Sequence, residues 1–153
     1  MKLTSSAFKE GGIIPSLYTC EGKNINPPLE IRAVPPSAKS LVLLMDDPDV
    51  PKTVRPDGMF DHWVIYNIPP DTYEIAKGST PPGIQGRNTY GKNEYFGPCP
   101  PDREHRYFFK LYALDKMLDL QPGASKKQVE RAIQGHVLAH FQLMGRYEKG
   151  KGY

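Results

Sequence analysis

Two short stretches of the chain hold the side chains that could do chemistry. In the first, an aliphatic run ends in Asp46-Asp47-Pro48-Asp49-Val50-Pro51, and the next apolar run opens at His62. If these runs are strands that pair antiparallel, the end of one lies beside the start of the other. Asp47 and His62 would then share one mouth, where a carboxylate and an imidazole could move protons or bind a polar ligand.

The strand period favours the same arrangement. Because side chains alternate along a strand, one face of the first strand carries Leu41, Leu43, Met45 and Asp47. The same rule places on one face of the second strand His62, Val64, Tyr66 and Ile68. Taken alone, however, Asp47-Pro48-Asp49 is typical of a turn, and a histidine beside Trp63 is more often a packed core residue. Only the two features together favour a site.

The second stretch runs from Gly97 to Tyr107 and reads Gly-Pro-Cys-Pro-Pro-Asp-Arg-Glu-His-Arg-Tyr. Its three prolines fix φ and predict a stiff wall. His105 and Tyr107 then share one strand face. A rigid rim followed by a histidine and a tyrosine suits a small polar pocket. The topology leaves open whether His105 reaches Asp47, because the chain between residues 69 and 104 could return at either end.

The elements that must position these residues are mostly strands. Four stretches rich in aliphatic and aromatic residues are predicted strands, namely Leu29–Val34, Leu41–Asp47, His62–Ile68 and His105–Leu114. The Pro- and Gly-rich excursion over residues 69–104 is either functional or hides short strands. We therefore predict one domain, residues 1–153, that is mainly antiparallel β.

One helix is predicted near the C-terminus. Ser125 and Gln128 match a capping box, in which each side chain binds the other residue's backbone N–H. Apolar and histidine side chains then recur at helical spacing, at Val129, Ala132, Ile133, His136, His140, Leu143 and Tyr147. Gly145 is the expected end of this helix.

Composition excludes several classes of protein. Among the 153 residues, 16 Pro and 14 Gly argue against an all-α bundle. A net charge of +3, with no basic run, gives no reason to expect a nucleic-acid partner. The longest aliphatic run, Leu41–Met45, is too short for a membrane span, and the start lacks the apolar stretch of a signal peptide. We therefore expect a cytoplasmic protein, in which Cys20 and Cys99 would ordinarily be free thiols.

Sequence motifs give no reason to expect a cofactor or a resident metal. The chain has no G-x-S-x-G elbow, no P-loop and no dinucleotide fingerprint. His136 and His140 have metal-ligand spacing, but the glutamate of H-E-x-x-H is missing between them. Cys99 lies between two prolines, with no evident base to activate it as a nucleophile.

Taken together, these motifs resemble the phosphatidylethanolamine-binding protein family (Raf kinase inhibitor protein-like), in its short bacterial and archaeal form. The resemblance extends over nearly the whole chain. Its motifs are Tyr18-Thr19-Cys20-Glu21-Gly22, Asn26-Pro27-Pro28-Leu29, Asp47-Pro48-Asp49-Val50-Pro51, Asp61-His62-Trp63-Val64-Ile65-Tyr66-Asn67, Gly97-Pro98-Cys99-Pro100-Pro101, His105-Arg106-Tyr107 and Leu111-Tyr112-Ala113-Leu114-Asp115.

The resemblance implies a large antiparallel sheet packed on a smaller sheet, with a C-terminal helix and one small anion-binding cavity. The residues that it assigns to this cavity are Asp47, His62, His105, Tyr107, Gly97, Pro98, Phe60 and Pro51. Phe60 stands at an aromatic position of the family but lacks an indole N–H. A cis peptide bond before Pro51 is implied as well. The positions of Cys20 and Cys99 beside two family motifs suggest a disulfide.

The implied function is non-enzymatic binding of a small phosphorylated or other anionic ligand, with a regulatory role. Inhibition of a serine protease is the form of regulation we expect, through Pro48–Phe60 or Pro69–Pro82. Family resemblance also implies a homodimer and at most peripheral contact with phospholipid head groups. The alternative is a hydrolase or lyase that uses Asp47, His62 and His105 as acid and base groups. A purely structural module is the third possibility.

Overall fold

The computed structural model describes residues 1–153 and contains two antiparallel sheets. The strands are β1 (Lys2–Thr4), β2 (Leu29–Arg32), β3 (Ser40–Asp47), β4 (Phe60–Ile68), β5 (Glu74–Ile75), β6 (Ile84–Gln85), β7 (His105–Leu114) and β8 (Val137–Tyr147). A 3-10 turn covers Ser16–Tyr18, and the one α-helix, α1, covers Lys126–Ala132. The large sheet has the order β6-β4-β3-β7-β8, and the small sheet has the order β1-β2-β5. The predicted fold class is confirmed.

The core lies between the two sheets, and a second apolar cluster lies under α1. Every residue of the central strand β3 is buried, because the sheet continues on both sides and both faces are covered. Leu41, Leu43 and Met45 face the small sheet, where they join Leu3 and Ile31. The opposite face of the large sheet packs against α1 through the cluster Val42, Leu44, Val64, Tyr66, Leu114, Leu118, Ala124, Val129 and Ile133.

All four predicted strands are present, with ends shifted by at most two residues. The excursion over residues 69–104 holds the short strands β5 and β6, which pair with β2 and β4. Strand β1 was not predicted, because three residues are too few to show a period.

The predicted helix begins correctly but is much too long. Ser125 accepts a hydrogen bond from the Gln128 backbone, and the Gln128 side chain accepts one from Ser125, so the capping box is confirmed. The helix ends at Ala132, and Gly135 then adopts a left-handed φ of +80°. Residues 137–147, predicted as helix, form β8 because the edge of β7 offers a long antiparallel partner. Gly145 therefore lies inside a strand and ends no helix.

Two further expectations about the backbone have clear outcomes. Cys20 and Cys99 form a disulfide with a Cα–Cα distance of 5.5 Å, as the family motifs suggested. The peptide bond before Pro51 is trans, so the expected cis bond is wrong. The structure contains no helix long and apolar enough to cross a membrane.

Candidate functional site

A cavity of about 190 Å³ opens where β3 ends and where β4 and β7 begin. This is the common mouth expected from antiparallel pairing, since Asp47 lies directly opposite Phe60 across the β3–β4 pair. The residues that line it are Asp47, Val50, Val54, Arg55, Phe60, His62, Tyr90, Phe96, Cys99, Pro100, Pro101, His105 and Tyr107. The cavity is smaller than the roughly 300–1,000 Å³ typical of drug-sized ligands. Its occupant must therefore be small.

Asp47 joins the end of β3 to the start of β7. One carboxylate oxygen, Oδ2, lies 2.7 Å from Nδ1 of His105, and the other accepts the backbone N–H of Asp49 at 2.7 Å. Both Asp47 and His105 are buried. Burial raises the pKa of the Asp47 carboxyl, and the hydrogen bond with His105 opposes part of that rise. Asp47 thus forms the turn and also holds the His105 imidazole.

A second carboxylate reaches the other side of the same imidazole. Oδ1 of Asp102 lies 2.7 Å from Nε2 of His105, and the Asp102 side chain is partly exposed. A neutral imidazole has only one N–H, so both contacts are hydrogen bonds only when the ring or a carboxyl group carries an extra proton. Both ring nitrogens are engaged by the protein. His105 therefore contributes its ring to the cavity and is held there by Asp47 and Asp102.

His62 faces the cavity because β4 is irregular there. Met45 pairs with Trp63 and Asp46 with Asp61, which leaves His62 as the extra residue of a β-bulge. The predicted common face of His62, Val64, Tyr66 and Ile68 is therefore wrong. Beyond the bulge, Val64 and Tyr66 pack towards α1. A second irregularity near Asn67, whose φ is +53°, turns Ile68 towards the other core.

His62 is held as a neutral hydrogen-bond acceptor. Its Nδ1 lies 2.5 Å from the carbonyl oxygen of Phe96. A carbonyl only accepts, so Nδ1 carries the proton and Nε2 keeps its lone pair. Burial lowers the pKa of His62 to about 4. The uncharged imidazole can therefore accept a hydrogen bond from a ligand at neutral pH.

Tyr107 and Arg55 supply donors. The Tyr107 hydroxyl is buried beside the backbone of Cys99, and its hydrogen has no acceptor within hydrogen-bond distance in the chain. Burial and the charge of Asp47 raise its pKa, so it remains a protonated donor. The Arg55 guanidinium lies 5.2 Å from the centre of the Phe60 ring, a cation–π distance. Arg55 supplies the positive charge at the cavity that no carboxylate of the chain neutralises within salt-bridge distance.

Comparison with known proteins identifies the family of this chain. Residues 4–148 match the family model described as phosphatidylethanolamine-binding protein. The chain belongs to the phosphatidylethanolamine-binding protein family. A relative from Methanothermobacter thermautotrophicus, named UPF0098 protein, is 51% identical over 156 residues, covering 98% of this chain and 100% of the relative.

Two solved structures share the phosphatidylethanolamine-binding protein fold. The crystal structure of CT736 from Chlamydia trachomatis, described as a homologue of this family, is 49% identical, covers 96% of each chain and has a TM-score of 0.94. YbcL of E. coli, described as a new member of the mammalian family, is 28% identical with a TM-score of 0.86, covering 96% of this chain and 97% of its own.

The cavity brings together five of the residues that family resemblance assigned to it, namely Asp47, Phe60, His62, His105 and Tyr107. Gly97, Pro98 and Pro51 do not line it. Gly97 instead donates its backbone N–H to Asn24, and a Cβ there would lie 2.1 Å from the Tyr18 carbonyl oxygen. Cys99, Pro100 and Pro101 form the wall expected of Gly97-Pro98.

Sequence reasoning assigned no site role to five residues that line the cavity, namely Val50, Val54, Arg55, Tyr90 and Phe96, or to Asp102, which contacts His105. All six lie in loops, where no strand period reports the direction of a side chain. Asp49 also has a role beyond the predicted turn. Its carboxylate accepts the Nε and Nη2 hydrogens of Arg106 at 2.9 and 2.8 Å, which fixes the start of the 48–59 loop on β7. The sequence His105-Arg106-Tyr107 was the one available signal for this contact.

Proposed function

We propose that this protein is a non-enzymatic binder of small phosphorylated or other anionic ligands, and that the ligand enters the cavity between β3, β4 and β7. The observation that carries the proposal is the buried Tyr107 hydroxyl, which lines the cavity and whose hydrogen has no acceptor in the chain. A buried polar group without a partner costs stability, so a ligand that accepts its hydrogen bond recovers that free energy. Arg55 supplies the positive charge that an anion needs.

The proposed ligand carries one proton on its phosphoryl group. Tyr107 and Arg55 would bind unprotonated oxygens, whereas His62 and Asp47 offer acceptors that suit a P–OH group. A phosphate monoester loses its last proton near about pH 6. Affinity should therefore weaken as the pH rises above this range, because the dianion has no hydrogen for the acceptors. A steady gain in affinity from about pH 5 to about pH 9 would contradict this proposal.

Calorimetric titration with inorganic phosphate and phosphorylethanolamine tests the function. Tyr107→Phe removes only the hydroxyl, so phosphate affinity should fall roughly ten- to a hundred-fold. The same variant should unfold at an equal or higher denaturant concentration, since the hydroxyl hydrogen has no acceptor in the free protein. Asp47→Ala and His105→Ala should also abolish binding while the protein remains folded.

Tyr112→Phe is the matched control, because Tyr112 lies on the same strand but does not line the cavity. Its affinity for phosphate should equal that of the wild type. If Tyr107→Phe and the wild type bind phosphate equally well, the hydroxyl does not contact the ligand. If the wild type binds neither anion, the proposed function is wrong.

A regulatory role through inhibition of a serine protease remains part of the proposal. The segment 52–54 is exposed beside the cavity, and the Val54 side chain is largely in solvent. The backbone there forms a turn, with the Val54 N–H donating to the Pro51 carbonyl. Activity assays of trypsin-like and chymotrypsin-like proteases in the presence of this protein at micromolar concentration test this role. If none of these enzymes is slowed, the proposal of protease inhibition is wrong, whereas the proposal of anion binding stands.

The alternative is an acid–base enzyme that uses Asp47, His62 and His105. The Asp47–His105 pair is chemically suited to move a proton. Against this reading, the Cys99 sulfur at the cavity is held in a disulfide, and both His105 nitrogens are engaged by carboxylates. Turnover of phosphate esters that disappears in folded His62→Ala would replace the binding proposal with the enzymatic one.

Compartment and assembly also remain proposals. Disulfides persist in oxidising compartments and in the cytosol of hyperthermophiles. The Cys20–Cys99 bond is therefore compatible with the proposed cytoplasmic location if the organism is a hyperthermophile. Cell fractionation with thiol trapping would test this, and recovery outside the cytoplasm would contradict it. The homodimer expected from family resemblance can be tested by sedimentation equilibrium.

A further inference from the structure

A second concavity, which we call the polar pocket, lies beside β6 at the edge of the large sheet. It has a volume of about 220 Å³ and shares no lining residue with the cavity between β3, β4 and β7. Neighbouring residues separate the two, since Trp63 and Tyr95 line the polar pocket whereas His62 and Phe96 line the cavity. The residues that line the polar pocket are Asn24, Ile25, Asn26, Trp63, Gly78, Ser79, Thr80, Pro81, Gln85, Asn93, Glu94 and Tyr95.

Neutral groups that both donate and accept hydrogen bonds dominate this lining. Four of the side chains carry amides and two carry aliphatic hydroxyls. No lysine, arginine or histidine lines the pocket, and Glu94 is its one carboxylate. The lining therefore has no cation to attract an anion, in contrast to the cavity that Arg55 lines.

Part of the polar pocket is fixed by hydrogen bonds within the chain. The Asn24 side-chain oxygen accepts the Gly97 N–H at 2.7 Å, and the Asn26 amide donates to the Ala76 carbonyl at 3.1 Å. The Ser79 hydroxyl donates to the same carbonyl at 2.6 Å. These bonds hold three of the polar side chains in place, so the pocket is formed in the free protein.

Gln85 differs from these residues because its side chain lacks such a bond. Its Oε1 atom is buried and has no hydrogen-bond partner. The backbone of Gln85 is held on β6, where it pairs with Ile65, and its carbonyl accepts the Gly123 N–H at 3.0 Å. A buried acceptor without a donor lowers stability, so a ligand that supplies the donor recovers this free energy. Gln85 therefore marks where a ligand would donate a hydrogen bond.

We propose that the polar pocket binds a small, uncharged, polyhydroxylated molecule with the size and chemistry of a monosaccharide. A hydroxyl group both donates and accepts, so a set of neighbouring hydroxyls matches a lining of amides and hydroxyls. One ligand hydroxyl donates to Oε1 of Gln85, and others donate to the Glu94 carboxylate. Ile25 and Trp63 supply apolar surface for the C–H groups of the ligand.

Trp63 gives a direct readout, because it is the single tryptophan of the chain and lines the polar pocket but not the cavity. The probes are D-glucose, D-galactose, D-mannose and myo-inositol, each titrated by tryptophan fluorescence and by calorimetry. At least one of them should change the Trp63 fluorescence and bind with a dissociation constant of about 1 mM or lower. If none of the four binds, the inference is wrong.

Substitution of Gln85 tests the assigned acceptor. Gln85→Met keeps the length of the side chain but removes the amide, so the dissociation constant of the tightest probe should rise roughly tenfold or more. Its urea midpoint should equal or exceed that of the wild type, since Oε1 has no partner in the free protein. Gln134→Met is the control, because Gln134 is exposed and does not line the pocket, and its affinity should equal that of the wild type. Unchanged affinity in Gln85→Met would overturn the inference.

Substitution of Glu94 distinguishes an uncharged ligand from a small ammonium ion. Glu94→Gln removes the charge but keeps a hydrogen-bond acceptor, so affinity for the tightest of the four probes should stay within roughly threefold of the wild type. Ethylammonium should bind the wild type more weakly than that probe. If ethylammonium binds more tightly and loses its affinity in Glu94→Gln, the pocket is a cation site and the inference is wrong. Because the two sites share no residue, failure of phosphate to bind would contradict only the proposed function.

Discussion

At the scale of single residues, the cavity combines one carboxylate, a neutral imidazole, a tyrosine hydroxyl and one guanidinium. Asp47 is hydrogen-bonded to His105, and His62 is uncharged. The attraction for an anion therefore depends on Arg55, which lines the cavity from the 48–59 loop. This dependence was not visible in the sequence, because the loop carries no periodic pattern.

Removal of the Arg55 charge should weaken phosphate binding. We expect Arg55→Gln to raise the dissociation constant for inorganic phosphate roughly tenfold or more, since hydrogen bonds to charged groups contribute about 1.5–3 kcal/mol. Lys52→Gln is the control, because Lys52 lies on the same loop, is exposed and does not line the cavity. Calorimetry should show little change in that control. Equal losses in both variants would indicate a general charge effect and contradict a specific role for Arg55.

The buried neutral His62 should make the fold sensitive to acid. Its pKa is about 4 in the folded protein and 6.5 as an ordinary value, so the unfolded chain binds the proton more readily. The stabilisation is complete above about pH 6.5 and is lost as the pH falls towards 4. The loss reaches roughly 3 kcal/mol at the lower limit. The raised pKa of Asp47 acts in the opposite direction, which reduces the net effect.

Urea unfolding at several pH values between 7 and 4 would measure this dependence. The variant His62→Asn keeps an N–H donor for the Phe96 carbonyl and has no group that titrates in this range. Its unfolding free energy should therefore depend less on pH than that of the wild type, whatever its absolute value. Parallel pH profiles for the two proteins would show that His62 is not the titrating group.

At the scale of the elements, sequence patterns predicted the long strands but not the features that depend on pairing between strands. The strands β3, β4 and β7 could be read from apolar runs bounded by Pro, Gly or Asp, and in the structure they bring Asp47, His105 and Tyr107 to one cavity. The bulge at His62 could not be predicted from the sequence, because it arises from the pairing of β4 with β3 and no residue type marks it. Strands β5 and β6 are two residues long and exist only through their partners.

The strand β8 shows why a local pattern can mislead. Its apolar residues fit a helical period, yet Ala139, Phe141 and Leu143 also alternate towards the core between the sheets. The long pairing with β7 decides between the two, and it is a tertiary contact that propensity cannot report. Gly145 was therefore interpreted as a helix end, although its role is to leave room for a neighbouring segment.

The room at Gly145 can be tested by adding one methyl group. A Cβ at Gly145 would lie 2.6 Å from Cγ1 of Ile14 and 2.9 Å from Cε2 of Phe8, which are both buried. Overpacking of this kind costs about 1–3 kcal/mol, so Gly145→Ala should lower the urea midpoint by a corresponding amount. Gln142→Ala, at an exposed position of the same strand, should change it little. Equal midpoints for Gly145→Ala and wild type would show that Ile14 moves freely aside.

At the scale of the whole molecule, the cavity wall is tied to a distant turn by several independent contacts. The Cys20–Cys99 disulfide joins the segment after the 3-10 turn to the proline-rich stretch. The Cys20 N–H also donates to the Pro98 carbonyl at 3.1 Å, and the Tyr95 hydroxyl donates to the Tyr18 carbonyl at 2.6 Å. These hydrogen bonds join the same two segments as the disulfide.

Loss of the disulfide should therefore reduce stability while leaving ligand affinity intact. The bond closes a loop with a sequence separation of 79 residues, and removal of such a link typically costs about 2–4 kcal/mol through the entropy of the unfolded chain. The double variant Cys20→Ser with Cys99→Ser should unfold at lower urea, and reduced wild type should match it. At temperatures well below unfolding, the affinity of the double variant for inorganic phosphate should stay within roughly twofold of the wild type, a difference well under 1 kcal/mol. A large loss of affinity in the folded double variant would mean that the disulfide itself shapes the wall, because Cys99 lines the cavity.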